Sequence, residues 1–186
     1  VAGRYARRYS VRSIVTGGLA AIGLALGALT LVHKESGYPL LGAALLVVGL
    51  GAGFSFTVTA DVILSSVPKE QAGSASAVSE TAYELGAALG IALLGSIVTG
   101  VYQGFTAPAS VSEPVADAAH ESLGGAVEAA KAVDPATATQ MVGAAQEAFV
   151  DGLRYASGVG AAVLLATAVA AWFLLKGQRL QDGVVH

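Results

Sequence analysis

Charged residues are missing from four long stretches of the chain, 13–32, 36–60, 85–112 and 155–175, and each is rich in Leu, Val, Ile, Ala and Gly. An α-helix needs roughly 20 apolar residues to cross about 30 Å of hydrocarbon. Each stretch is near or above that length, so the pattern predicts four membrane-spanning helices and an all-α, polytopic membrane fold. The third helix is placed further back, from Gln71. Pro68 suits a helix start, and the small residues 72–77 lead into the apolar run without a break. The predicted spans are 13–32, 39–62, 71–102 and 153–175. They are joined by a short loop at 33–38, a turn at 63–70 and a long acidic loop or hairpin at 103–152, with a basic segment 1–12 in front and a tail 176–186 behind.

Small residues recur at four-residue spacing in the spans, as in Gly23 with Gly27, Gly49 with Gly53, Gly86 with Gly90 and Ser96 with Gly100, a spacing that lets helices approach closely. Within the long loop, the alanine-rich segment 115–133 with Gly124 and Gly125 at its middle suits one or two short amphipathic helices. Asp134 followed by Pro135 reads as an N-cap and first-turn pair opening a further helix into the fourth span.

Composition strengthens the membrane reading: 54% of the residues are hydrophobic and only 12% charged, more apolar than an ordinary soluble domain. With no cysteine, thiol catalysis, disulfide scaffolds and cysteine zinc sites are excluded. A net charge of -3 argues against nucleic acid as a partner. The chain opens at Val1 inside a basic segment, which suggests part of a longer protein.

The basic residues give direction. Arg4, Arg7, Arg8, Arg12, Lys69, Lys176 and Arg179 fall on one side of the spans, and Lys34, Lys131 and Arg154 on the other. Lys and Arg concentrate in cytoplasmic loops, so both chain ends and the Lys69 turn are expected in the cytoplasm, and the acidic loop outside. Tyr5, Tyr9, Tyr38, Tyr102, Phe105, Tyr155, Trp172 and Phe173 sit near predicted membrane edges, where amphipathic rings are favoured; Tyr83 is the tyrosine at membrane depth.

The chemistry concentrates in the third span. An ionisable residue at the bilayer centre costs about 2.5 to 3.5 kcal/mol on insertion scales, so it is rarely there without a functional reason. Glu80 and Glu84 are four apart, one above the other on a helix face shared with Gly73, Ala77, Ala87 and Ile91. Two carboxylates about 6 Å apart repel by roughly 3 kcal/mol at an effective dielectric near 20. A shared proton relieves that repulsion, and loss of the proton leaves a site for a cation. Tyr83 could add a ring face for a positive charge. Asp61, near the end of the second span, is a candidate for gating, although a helix-end hydrogen-bonding role accounts for it more simply. Arg4, Arg7 and Arg8 serve as orientation anchors and could also form a conformational lock. No His-carboxylate metal spacing, nucleophile elbow or phosphate loop accompanies them, so no enzyme is expected.

These residues resemble a known family. The stretch 60–77, ADVILSSVPKEQAGSASA, continuing through SETAYELG at 79–86 and ALGIALLGS at 88–96, is similar to the penultimate-helix region of the 14-helix drug:proton antiporters of the major facilitator superfamily, with the QacA-like exporters as the nearest subgroup. GRYARRY at 3–9 resembles a degenerate cytoplasmic loop motif of that family, and AFVDGL at 148–153 the entry to its last helix. The resemblance implies that the four spans correspond to the eleventh to fourteenth helices of a proton-coupled multidrug exporter in a bacterial inner membrane. The expected partners are the lipid bilayer, lipophilic or cationic drugs and the remaining helices, with a proton gradient in place of any cofactor. It puts Glu80 and Glu84 where family members carry membrane-embedded acids. Ser79 stands where some members have another acid, which leaves the cation range open. The competing expectations are a self-contained four-helix scaffold and an exporter of a neutral antibiotic or metabolite.

Overall fold

The computed structural model describes residues 11–32 and 38–175. Among these, the elements are α1 (Val11–Leu29), α2 (Tyr38–Ser65), a 3-10 turn (Lys69–Gln71), α3 (Ala72–Tyr102), α4 (Glu113–Glu121), α5 (Leu123–Ala129), a second 3-10 turn (Ala130–Ala132) and α6 (Pro135–Leu174). Helices α1, α2, α3 and α6 are each long and apolar enough to cross a membrane.

The four long helices run up, down, up, down. Helix α1 packs extensively on both α2 and α6, and α3 packs on α6, whereas α2 and α3 touch only slightly. The result is an arc, α2–α1–α6–α3, with a loose seam between its ends. Close backbone approach sets the tight crossings. A Cβ added to Gly51 would lie 2.7 Å from the Ile22 side chain and 3.0 Å from the Gly18 carbonyl oxygen, and one added to Gly152 would lie 2.9 Å from the Val98 carbonyl oxygen. Of the small-residue pairs singled out in the sequence, Gly23 meets a neighbour, Leu165 of α6, while Gly27, Gly49, Gly53, Gly86, Gly90 and Gly100 face nothing within 4 Å among the described residues. Four-residue spacing marks a smooth face, but what lies opposite decides whether that face is used.

Helix α6 joins the helix expected to open at Asp134 to the fourth span. It is one 40-residue helix, about 60 Å long at 1.5 Å per residue, or twice the hydrocarbon thickness. Asp134 opens it by accepting hydrogen bonds from the backbone amides of Ala136 and Thr137, both at 3.1 Å. No proline then interrupts it before Leu174. Its first half carries Gln140, Gln146, Glu147 and Asp151, so this half projects beyond the apolar slab.

Beside that projection, α4 and α5 fold into a small cap with its own core of Tyr102, Phe105, Ala119, Ala126, Met141 and Ala145. The Tyr102 hydroxyl donates to the Ala119 carbonyl at 2.8 Å, and His120 stacks on Phe105 with centroids 4.5 Å apart. Tyr102 and Phe105, placed near a membrane edge by the sequence, are buried in the core of the cap. The physical reason is that α4 and α5 cover them.

Candidate functional site

Helix α3 is the least buried of the four spans, and its surface divides into three flanks. The packed flank holds Ala75, Ser79 and Tyr83 at one end and Gly90, Leu94, Ile97, Val98 and Tyr102 at the other, all buried or half-buried. It contacts α2 through Tyr83, whose ring meets Phe56 edge-on at 5.3 Å, and α6 through Val98 against Gly152 and Leu94 against Gly160. A second flank carries large exposed apolar side chains, Val78 (70% exposed), Leu85 (60%) and Leu89 (62%), as a lipid-facing surface does.

The third flank carries Glu80 and Glu84. At about 100° per residue, they lie roughly 130° round the helix from the Val78–Leu85–Leu89 flank. Both are exposed, and so are their same-face neighbours Gly73, Ala77, Ala87 and Ile91. The acids lie on the same line of α3 as Val98 and Tyr102, five turns further on, but where α6 and the cap cover those two residues, nothing among the described residues covers Glu80 and Glu84. Small neighbours leave room around them. Further along, Ile91 is 75% exposed, so the open space is confined to the neighbourhood of the acids.

The other candidate residues are not gathered beside the acids. Tyr83 follows the packed flank, with its hydroxyl buried and without a hydrogen-bond partner. It borders a cavity of about 490 Å³ between α2 and α3, lined also by Ile63, Gln71, Ser74, Val78 and Ser79. Asp61 is exposed one turn inside the end of α2, about 140° round that helix from Phe56, the residue that meets Tyr83. Arg4, Arg7 and Arg8 lie outside the described residues.

Two arginine contacts between distant segments were not marked by the sequence. The Arg154 Nε donates to the Thr30 carbonyl oxygen at 2.8 Å, while its terminal nitrogen pairs with Asp151 at 3.0 Å. This ties the end of α1 to the middle of α6. At the opposite end of the same two helices, the Arg12 guanidinium lies 3.5 Å from the centre of the Trp172 ring. Charge-free spans advertise the helices, but pairing an arginine at one end of the chain with a partner more than 120 residues away requires knowing which helices are neighbours.

Comparison with known proteins agrees with this architecture. The family model described as Major Facilitator Superfamily matches residues 1–112. The chain is 38% identical over 164 residues to the multidrug efflux pump LfrA of Mycolicibacterium smegmatis, covering 88% of this chain and 32% of that protein. It is 29% identical over 181 residues to the methyl viologen resistance protein SmvA of Salmonella typhimurium, covering 96% and 37%. To the tetracenomycin C resistance and export protein of Streptomyces glaucescens it is 30% identical over 175 residues, covering 87% and 32%. The chain thus spans about a third of the length of these relatives. All three are transport or resistance proteins rather than enzymes. With a family model matching more than half of its residues and four membrane-length helices in the described structure, the chain belongs to the major facilitator superfamily.

Proposed function

We propose that these four helices work as the C-terminal part of a proton-coupled multidrug antiporter of the bacterial inner membrane, exporting lipophilic, cationic compounds. The observation that carries this reading is the exposure of Glu80 and Glu84, one turn apart inside a membrane-length helix and left uncovered by the other described helices. Two acids so placed are costly against lipid and useful against a polar cavity. The names of two relatives, a multidrug efflux pump and a methyl viologen resistance protein, support the substrate class.

In this account the deprotonated pair attracts a cationic drug from the cytoplasmic side. The bundle to which α3 belongs then tilts against an opposing bundle, and protons arriving from outside neutralise the acids and release the cation. The proton carried inward balances the charge carried out, and no cofactor takes part. Tyr83 acts by fixing α3 to α2 through Phe56, so that the acid flank stays turned to the cavity. Asp61, with Arg4, Arg7 and Arg8, belongs to the cytoplasmic gate in this scheme, and both chain ends lie in the cytoplasm.

The test is efflux of a cationic dye from vesicles containing the full-length transporter under an imposed proton gradient. Gradient-driven export of the dye, lost on adding a protonophore, is the expected result; export indifferent to the gradient would remove proton coupling. A second reading, export of a neutral polyketide-like compound, has one observation in its favour: the similarity to a tetracenomycin C exporter. Transport of neutral aromatic compounds with no transport of cationic dyes would select it.

A further inference from the structure

Between α1 and α6, at the end marked by Arg12, a groove of about 630 Å³ opens on the surface. Its walls are Gly17 and Ala20 on α1 and Leu165, Val169 and Phe173 on α6, and Thr16 adds a hydroxyl that is already committed to the Arg12 carbonyl at 2.6 Å. Apart from Ser13 and Thr16 at its Arg12 end, the groove is lined by apolar residues. Its polar end is Arg12, whose guanidinium carbon lies 3.5 Å from the ring centre of Trp172, a groove residue.

Arg12 is incompletely satisfied. Its Nε is buried and makes no hydrogen bond, and no carboxylate among the described residues pairs with it. The Nε is enclosed, so an anionic oxygen arriving from outside would meet the terminal nitrogens of the guanidinium, for which it is the strongest partner. In sequence, Arg12 is preceded by Arg4, Arg7 and Arg8, with no Asp or Glu before it. Tryptophan prefers the headgroup level of a bilayer, so Trp172 places Arg12 at the depth of lipid phosphates.

We infer that this groove is a binding site for an anionic phospholipid, with the phosphodiester on Arg12 and one acyl chain laid along Gly17, Ala20, Leu165 and Val169. The guanidinium supplies donors for the phosphate, and the basic residues that precede it in sequence favour a headgroup with net negative charge over a zwitterionic one. The site requires that α1 and α6 span the membrane and is independent of the acids on α3 and of what is transported.

The experiment uses the full-length protein with Trp172 as its only tryptophan, in phosphatidylcholine nanodiscs containing brominated lipid as a contact quencher. Brominated phosphatidylglycerol should quench Trp172 with an apparent affinity about fivefold higher than brominated phosphatidylcholine. Arg12→Gln should bring the ratio close to one, and Arg12→Lys should restore part of it. Gly17→Leu fills the groove at a position where an added Cβ meets no protein atom within 4 Å, so it should weaken quenching by phosphatidylglycerol while Arg12 is intact. Equal quenching by the two lipids in the wild type would overturn the proposal. So would a phosphatidylglycerol preference that survives both Arg12→Gln and Gly17→Leu.

Discussion

Single residues carry the chemistry and were the most uneven in what they disclosed. Glu80 and Glu84 were legible because a carboxylate inside an apolar run is costly, and the i, i+4 spacing alone puts both on one face. In the transporter proposed here, Glu80→Gln or Glu84→Gln should lower cationic-dye efflux about tenfold, the equivalent of losing one to two kcal/mol of charge attraction, with membrane insertion unchanged. Initial efflux rates beside the amount of protein in the membrane check this, and wild-type rates in both mutants would remove the assignment. Tyr102 was not legible. Aromatic residues near a span end read as interfacial, and only the fold of α4 and α5 reveals that its hydroxyl is committed to Ala119. Tyr102→Phe should cost the cap about 1 kcal/mol and raise amide exchange across α4, leaving the spans protected.

At the level of elements, the number and order of long helices followed from charge-free length, while their ends followed from local chemistry that only partly shows in sequence. Helix α6 runs through the acidic stretch because Asp134 caps it and nothing afterwards breaks it. Hydrogen bonding from the Thr137 side chain, then from its backbone amide, holds the Asp134 carboxyl below its ordinary range. A carboxylate lowered in the folded state contributes its stability above the ordinary carboxylate range and loses it as pH falls through the lowered value. The first turn of α6 should therefore fray on acidification below about pH 4. In Asp134→Asn the amide oxygen still accepts, and the pH dependence should vanish; amide exchange at Ala136 and Thr137 reads both outcomes. Helix pairing was the part hidden from the sequence, since a glycine face does not name its partner. Gly152→Val would push a side chain into the Val98 backbone and should destabilise the α3–α6 contact by about 1 to 3 kcal/mol. Gly143→Ala, in open space on the projecting part of the same helix, should be neutral or stabilising. Thermal unfolding of the two variants side by side separates crowding from helix propensity.

For the whole molecule, the arc of four helices with a loose seam between α2 and α3 leaves α3 with the most uncovered surface. In the transporter proposed above, that surface would border a cavity between two bundles, with the large apolar flank of α3 left toward lipid. The sequence suggested the acids and the spans but could not tell which side of α3 each residue takes, since that depends on where α2 and α6 dock. The most direct test is cysteine accessibility in the full-length protein. Single cysteines at 80, 84, 85 and 89 are treated with a water-soluble, membrane-impermeant thiol reagent in membranes opened to both sides. Rapid labelling at 80 and 84, with 85 and 89 protected, is expected for an acid flank that faces an aqueous cavity. Protection of 80 and 84 together with labelling of 85 and 89 would contradict it.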